Sequence, residues 1–243
     1  MKNSIPPFKG FSKDAFDFLS ELRDNNNLSW FNLNRARYQN ALVGPARSFI
    51  TEMAQFFNRL YPAIRTEPKF NETIMRINKD LRFSKGEPYR DYFLIHFGRF
   101  KMDSEFYVSF EADSFDLGLF INNSPKDSNF YFRQNLERYE KEFLKLLDKY
   151  EINFNFELFN LVKGPEIIDK HLNGQKHLEL LKDLKMFLIQ KSFSPKSKII
   201  YSPDFVLEAM KAYSVLFPVY CFSTFPDPLK VIEEFEEQFG LMQ

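Results

Sequence analysis

The sequence is poor in cysteine and glycine. It has one cysteine, Cys221, in 243 residues, which excludes an internal disulfide framework and a multi-cysteine zinc site. With eight glycines, it contains neither a glycine-rich phosphate-binding loop nor a Gly-x-Ser-x-Gly or His-Glu-x-x-His motif. These absences exclude the usual signatures of nucleotide-binding proteins, serine hydrolases and metalloproteases, and we predict no cofactor and no metal.

The sequence also lacks an excess of charge and a long hydrophobic run. Its 33 basic residues balance 33 acidic ones, whereas a protein that coats nucleic acid with its whole surface is normally basic. No window approaches the length of a membrane span, and the first residues lack the apolar stretch of a signal peptide. We therefore expect a cytoplasmic protein without a membrane partner, and a local anion site stays open.

Aromatic residues are abundant, and apolar spacing predicts helices at both ends of the chain. The 31 Phe and 11 Tyr are interpreted as core residues. Helical periodicity predicts a first helix capped by Ser12, a second capped by Ser29 and a third over 49–60. Further helices are predicted over 127–150, over about 176–189, from Ser202-Pro203-Asp204 onward and over 229–239.

Alternating apolar and polar residues predict strands between these helical regions. Four segments, at about 74–83, 92–100, 105–112 and 115–121, are joined by the short links of an antiparallel meander. Short strands are also predicted at 152–158 and 199–201. Because no linker separates these regions, we predict a single α+β domain over residues 1–243, with an antiparallel meander sheet covered by N- and C-terminal helices.

The first predicted strand and the turn after it carry a local surplus of positive charge. Residues 73–90 contain five basic and two acidic side chains: Arg76, Lys79, Arg82, Lys85, Arg90, Asp80 and Glu87. Side chains alternate across a strand, so Arg76, Asp80 and Arg82 are expected on its polar face. If the apolar faces of the strands align, Tyr107 and Glu111 lie on the same surface.

Two interpretations of this polar surface fit the sequence. In the first, Asp80 and Glu111 neutralise the arginines in a buried ion network, which is costly to desolvate but tolerated when every group is satisfied. In the second, an open cleft presents guanidinium groups to a phosphate or carboxylate ligand. The basic groups outnumber the acidic ones, and this surplus favours the second interpretation.

A set of short motifs spreads over nearly the whole chain. The motifs are Asn25-Asn26-Asn27-x-x-Trp30-Phe31, Arg76-Ile77-x-x-Asp80-x-Arg82-Phe83-Ser84-Lys85, Pro88-Tyr89, Phe106-Tyr107-Val108, Arg133 and Phe217-Pro218. Together they resemble the bacterial and fungal family classified as domain of unknown function 2461. The resemblance implies a single α+β domain with a motif region from Arg76 to Tyr89, and it implies no activity. Between Lys85 and Pro88 the loop is shorter than is usual in that family.

We therefore hypothesise that the protein binds an anionic small molecule, phosphorylated or carboxylated. The candidate ligand-binding residues are Arg76, Arg82, Lys85, Tyr89, Arg90 and Tyr107, and the candidate catalytic residues are Asp80 and Glu111. If the protein is an enzyme, transfer or hydrolysis at a phosphoryl or acyl centre suits these groups. One alternative is a non-enzymatic structural or interaction module, and another is a nucleic-acid-associated protein that also uses the lysines between 182 and 198.

Overall fold

The computed structural model describes residues 5–80, 86–123 and 130–239. Within these ranges the α-helices are α1 (Lys13–Asp24), α2 (Leu28–Leu33), α3 (Arg35–Tyr38), α4 (Gly44–Leu60), α5 (Phe132–Arg138), α6 (Glu140–Lys149), α7 (Gly174–Asp183), α8 (Phe205–Thr224) and α9 (Pro228–Phe239). A π-helix covers Gln39–Val43 and a 3₁₀-helix covers Lys198–Tyr201. The strands are β1 (Phe93–Phe97), β2 (Glu105–Phe110), β3 (Phe115–Asn122), β4 (Glu157–Asn160), β5 (Glu166–Asp169) and β6 (Met186–Phe193).

These strands form one antiparallel sheet in the order β1-β2-β3-β6-β4-β5. The first three strands are a meander and correspond to the predicted segments 92–100, 105–112 and 115–121. Because β6 lies between β3 and β4, the prediction of a meander is wrong for the sheet as a whole. In the β4–β6 pair Leu158 is opposite Ile189 and Phe159 is opposite Leu188. The combination of helices with one antiparallel sheet confirms the α+β class.

The chain divides into two compact units. Unit 1 contains the described residues of 1–97, 107–117 and 192–210, and unit 2 contains those of 98–106, 118–191 and 211–243. Strands β2, β3 and β6 and helix α8 each begin in one unit and end in the other. The assignment of residues 1–243 to a single domain stays a prediction.

Phenylalanine rings form the core of unit 1. The ring of Phe11 contacts the ring of Phe110 at a centroid distance of 4.6 Å, and the rings of Phe115 and Phe205 are 5.0 Å apart. Phe11 follows Gly10, whose φ of +98° and close approach to the Tyr201 backbone leave no room for a side chain. The prediction that the aromatic residues build the core is therefore confirmed in this unit.

Helix α8 supplies much of the core of unit 2. Tyr213 and Tyr220 pack on Phe106 of β2, with ring centroids 5.1 and 5.0 Å away. In the described residues α8 is the one helix long and apolar enough to cross a membrane, but 67% of that apolar window is buried inside the protein. Such burial is typical of a core helix of a soluble protein.

The predicted strand at 74–83 is wrong as a regular strand over its described part. Ile74 forms an isolated bridge with Ile95, and Asn78 forms another with Tyr89. The segment changes neighbour between these two bridges, so consecutive residues never make a ladder with one partner strand. Residues 81–83 lie outside the described residues.

Three other predicted elements differ from the structure. The strand at 152–158 begins only at Glu157, because Glu151 and Phe154 have positive φ values of 54° and 66°, which no strand accommodates. The segment 199–201 belongs to a 3₁₀-helix rather than a strand. The long helix over 127–150 is two helices in its described part, separated at Tyr139 with φ −127° and ψ 39°.

The predicted helix over 176–189 is also wrong beyond its first part. Helix α7 ends at Asp183, and Leu184 already has extended backbone. Strand β6 then buries Phe187, Ile189 and Gln190. Leu184 and Leu188 fit a helical spacing as well as the start of a strand, and the sequence pattern does not separate the two.

Candidate functional site

The start of helix α2 is anchored by two asparagines of the Asn25-Asn26-Asn27 motif. Asn27, not Ser29 as predicted, caps the helix, and its Oδ1 accepts from the backbone N–H of Trp30 at 3.0 Å. Asn26 acts like a neighbouring strand residue: its Nδ2 donates to the Tyr89 carbonyl at 3.0 Å, and its Oδ1 accepts from the Tyr89 N–H at 3.0 Å. The first and third motifs of the sequence therefore bind each other.

Tyr89 is a packing residue in this arrangement. Its side chain is 1% exposed, and its ring stacks on Phe31 with a centroid distance of 4.1 Å and an interplanar angle of 18°. Burial raises the pKa of Tyr89, while the charge of Arg35 opposes the shift. Tyr89 packs against Phe31, which lines the cavity described below, but Tyr89 itself does not line that cavity.

The segment after Thr73 runs beside β1 and then beside residues 88–90. Met75 N–H donates to the Leu94 carbonyl at 3.0 Å, and Arg90 N–H donates to the Ile77 carbonyl at 2.8 Å. We call residues 73–80 the bridging segment. Ile77 is buried whereas Arg76 and Asn78 are exposed, so the predicted polar face is confirmed for this stretch.

The side chain of Arg90 binds the backbone of the bridging segment. Its Nη1 donates to the carbonyl oxygens of Arg76 and Asn78, at 2.9 and 2.6 Å. Lys79 Nζ lies 4.0 Å from Glu87 Oε2, and the same oxygen accepts from Asn26 Nδ2 at 3.2 Å. Lys79 therefore has a carboxylate near it, and the Arg90 guanidinium has a structural role on two neutral carbonyl oxygens.

A cavity of about 130 Å³ lies between the α2–α3 region and the bridging segment. We call it the Arg35–Arg76 cavity. Its lining combines cationic, polar and apolar side chains: Phe31, Arg35, Tyr38, Gln39, Phe70, Arg76, Ile77 and Asn78. None of the described residues that line it is acidic.

Neutral asparagines orient the two arginines of the cavity. Arg76 Nε donates to Asn71 Oδ1 at 3.1 Å, and Arg35 Nη2 donates to Asn32 Oδ1 at 3.0 Å. Asn71 has a φ of 66°, which Asn adopts more readily than most residues. An amide oxygen fixes the direction of a guanidinium group without neutralising its charge.

Some other arginines of the protein have carboxylate partners. Arg37 binds Asp14 and Glu21, each at 2.7 Å, and these bonds raise the pKa of Arg37. Asp103, which is fully buried, takes a bidentate pair from Arg99. No such ion pair with Arg35 or Arg76 exists in the part of the chain that the structure describes, so both remain uncompensated cations.

Tyr38 and Gln39 reach the cavity where the π-helix begins. Single π-turns occur frequently at functional sites. Tyr38 is 4% exposed, and burial raises its pKa, although the positive charges of Arg47 and Arg76 act in the opposite direction. Its hydroxyl therefore stays protonated at neutral pH and can donate a hydrogen bond.

The other predicted site residues lie elsewhere. Asp80 is exposed and does not line the cavity, and Tyr107 is buried on β2 with 5% exposure. Arg82 and Lys85 lie outside the described residues. The roles assigned to these four residues stay predictions.

Glu111 belongs to an acidic group around the β2–β3 turn. Burial raises its pKa, and the nearby carboxylates of Asp116, Asp91 and Asp113 raise it further, against the opposing charge of Arg23. Arg23 also lies 3.7 Å from Asp91 and 3.6 Å from Asp113. The charged neighbours that act on Glu111 thus differ from the arginines of the cavity, and its predicted catalytic role stays a prediction.

Sequence reasoning missed most of the cavity, because Arg76 is the one predicted site residue among the described residues that line it. Arg35, Tyr38 and Gln39 were not among the predicted site residues, nor were Phe31 and Phe70. The spacing of residues 31, 35, 38 and 39 places them on one helix face directly after the Trp30-Phe31 motif, and this signal could have identified them. Three or more His, Cys, Asp or Glu side chains grouped to hold a metal ion do not occur among the described residues.

Comparison with known proteins gives a family and no activity. No curated protein matches the chain. Three of the motifs that bear the resemblance meet here, since Asn26, Phe31, Arg76 and Tyr89 lie in or directly behind the cavity wall. The sequence model of the family described as conserved hypothetical protein (DUF2461) matches residues 14–222, and the chain belongs to this family.

Proposed function

We propose that the Arg35–Arg76 cavity binds an anionic small molecule, phosphorylated or carboxylated. The observation that carries this proposal is that two arginines line one cavity, and that their guanidinium groups are oriented by amides instead of carboxylates. A bound anion would complete the charge balance that the described lining residues leave open. Guanidinium groups present planar, forked donors that match phosphate and carboxylate oxygens.

The remaining polar groups of the cavity suit such a ligand. Tyr38 offers a hydroxyl, and Gln39 and Asn78 offer side-chain amides. These neutral groups can donate to an anion or to an uncharged part of the same molecule. Asp80 and Glu111 do not line the cavity, so the proposal is one of binding and contains no catalytic step.

The size of the cavity limits the ligand. Pockets for drug-sized molecules usually measure roughly 300–1,000 Å³, and this cavity measures about 130 Å³. It therefore suits a small molecule or the charged end of a larger one. The cytoplasmic location expected from the sequence belongs to the same proposal, supported by the burial of α8.

Replacing either cavity arginine tests the proposal. We expect Arg35→Gln and Arg76→Gln to weaken the binding of phenyl phosphate, measured by isothermal titration calorimetry, by roughly ten- to a hundredfold, because a charge-assisted hydrogen bond contributes about 1.5–3 kcal/mol. Both side chains are exposed, so the thermal unfolding midpoint should change little. Arg138→Gln, which removes an equal charge from the exposed end of α5, is the matched control.

The alternative of a purely structural module makes a different prediction. A structural role is favoured for Arg90, whose side chain binds a backbone carbonyl oxygen, and for Tyr89, whose ring packs on Phe31 in the core. If it held for the cavity as well, neither phosphates nor carboxylates would bind, or the two arginine variants would bind them as the Arg138→Gln control does. Either outcome would reject the anion site.

A further inference from the structure

We infer that the ligand of this cavity is a phosphate monoester attached to an aromatic or heteroaromatic ring. The inference rests on the proposed anion site and narrows it in two respects, the charge of the anionic group and the nature of the group that carries it.

The charge of the lining favours phosphate over carboxylate. Two arginines line the cavity, and the partners that orient their guanidinium groups, Asn32 and Asn71, are neutral. A phosphate monoester carries a charge of about −1.5 to −2 at neutral pH, which matches two cations. A carboxylate carries a single negative charge and would leave one guanidinium uncompensated among the described lining residues.

The apolar wall favours a ring next to the phosphate. Phe31 and Tyr38 are buried and already packed, since Phe31 stacks on Tyr89 and contacts Tyr38 at 5.4 Å. Phe70 differs: it is only partly buried, and among the described residues no other ring packs on it. The Arg76 guanidinium lies over the Phe70 ring, 5.8 Å from its centroid.

Phe70 and Arg76 therefore form a surface at one wall of the cavity that is partly aromatic and partly cationic. A ligand that places its phosphate against the guanidinium edge brings the adjoining atoms of the ligand close to Phe70 and Ile77. Water forms no hydrogen bonds with these apolar groups. A flat ring, by contrast, can pack on both the Phe70 ring and the guanidinium plane. An alkyl group has no such planar face.

The volume agrees with a single small ring. An apolar cavity of about 150 Å³ is known to accept benzene, and the Arg35–Arg76 cavity has about 130 Å³. The phosphate and part of one ring fill this space, while a whole nucleotide does not fit. Any larger part of the ligand would lie outside the cavity.

Three probe ligands test the two parts of the inference. Phenyl phosphate, methyl phosphate and benzoate are titrated into the full-length protein at pH 7.5. We expect phenyl phosphate to bind on the order of tenfold more tightly than methyl phosphate, because of the ring contact, and more tightly than benzoate, because of its charge. Equal or weaker binding of phenyl phosphate than of either comparison ligand would overturn the inference.

A substitution of the ring identifies the contact. Phe70→Leu keeps an apolar side chain but removes the flat face. The ratio of the affinities for phenyl phosphate and methyl phosphate should therefore fall to nearly one, while the affinity for methyl phosphate stays as in the wild type. Phe100→Leu is the matched control, since Phe100 also lies under an arginine, with Arg99 5.0 Å from its centroid, and does not line the cavity. An unchanged preference in Phe70→Leu would overturn the ring contact.

Two further readouts keep the inference separate from the proposed function and from folding defects. If none of the three ligands binds, the proposed anion site fails; if phenyl and methyl phosphate bind equally, the anion site holds and only the inference fails. Should Phe70→Leu fail to fold, the wild-type preference for phenyl over methyl phosphate still tests the ring contact, and the wild-type pH profile tests the charge of the anionic group. Phosphate affinity should rise as the pH increases through about 6, where the second phosphate proton is lost, and benzoate affinity should not; parallel profiles would contradict the inference.

Discussion

At the scale of single residues, Asn71 shows how the site controls charge. Asn71 has a left-handed backbone conformation, and its Oδ1 accepts a hydrogen bond from Nε–H of Arg76. A carboxylate in that position would bind more strongly but would cancel the positive charge. The amide therefore gives Arg76 a fixed direction and leaves its charge for a ligand.

Two substitutions of Asn71 separate these effects. Both Gly and Asp tolerate positive φ, so we expect the free energy of unfolding to change by less than about 1 kcal/mol in each variant. Asn71→Gly should weaken phenyl phosphate binding several-fold because Arg76 loses its orientation. Asn71→Asp should weaken it further because Arg76 is neutralised. Wild-type affinity in Asn71→Asp, measured by the same titration, would show that the charge of Arg76 is not used.

The residue types in the motif region predicted a positive surface, and one of the predicted ligand-binding residues, Arg76, lies in the cavity. The sequence does not show that Arg90 is used on carbonyl oxygens or that Tyr89 is buried under Phe31. Both roles depend on contacts between segments that are distant in the sequence, and the local pattern of charges does not indicate them. Asn32 and Asn71 lie only three and five positions from their arginines, and the charge pattern does not indicate them because both are neutral.

At the scale of elements, the entry of the chain into unit 1 depends on one close backbone approach. A Cβ atom on Gly10 would lie 2.3 Å from the carbonyl carbon of Tyr201, and the next residue, Phe11, donates its N–H to the Ile200 carbonyl at 2.9 Å. This contact fixes the segment before α1 against the 3₁₀-helix and places the Phe11 ring in the core.

Comparing two glycines measures the contribution of this approach. Gly10 and Gly164 have similar φ values, +98° and +109°, but a Cβ on Gly164 would meet nothing within 4 Å. We expect Gly164→Ala to cost about 1–2 kcal/mol from backbone strain alone, and Gly10→Ala to cost clearly more because backbone atoms must also move. Urea unfolding of the two variants measures the difference, and equal costs would mean that the Tyr201 backbone yields easily.

Elements with a clear period were predictable, and elements that depend on their neighbours were not. The alternation in β2 and β3 and the apolar face of α4 correspond closely to the predicted ranges 105–112, 115–121 and 49–60. By contrast β5, with only four residues, has no alternation of its own and exists because it pairs with β4. The bridging segment is likewise defined by two separate partners.

At the scale of the whole molecule, the two compact units share four elements of secondary structure. Strands β2, β3 and β6 and helix α8 pass from one unit to the other. Breaking the hydrogen bonds of such an element in one unit would expose its continuation, so we expect the units to unfold together. This expectation also tests the single domain predicted from the sequence.

The one tryptophan of the chain makes the test simple. Trp30 lies in unit 1 next to Phe18, with ring centroids 5.5 Å apart, whereas far-ultraviolet circular dichroism reports on the helices of both units. We expect the two signals to give the same midpoint and the same slope in urea. A separate Trp30 transition would show that unit 1 unfolds independently and that the chain contains two domains.

The family relationship applies to most of the molecule, yet it assigns no chemistry to it. Residues 14–222 match the family, and this range includes elements of both units. The Arg35–Arg76 cavity therefore gives experiments a defined location. Its positions 35, 38 and 76, and position 71 that orients Arg76, can be compared in other members of the family.

The position of Arg35 and Arg76 has a consequence for the mechanics of the chain. The two residues are about 40 positions apart in the sequence, and the single cysteine leaves no disulfide to close that loop. In the proposed complex the bound phosphate is a reversible cross-link between helix α3 and the bridging segment, and it closes a loop of the kind that disulfides close in secreted proteins. The cell's supply of the ligand would then set how firmly this loop is held.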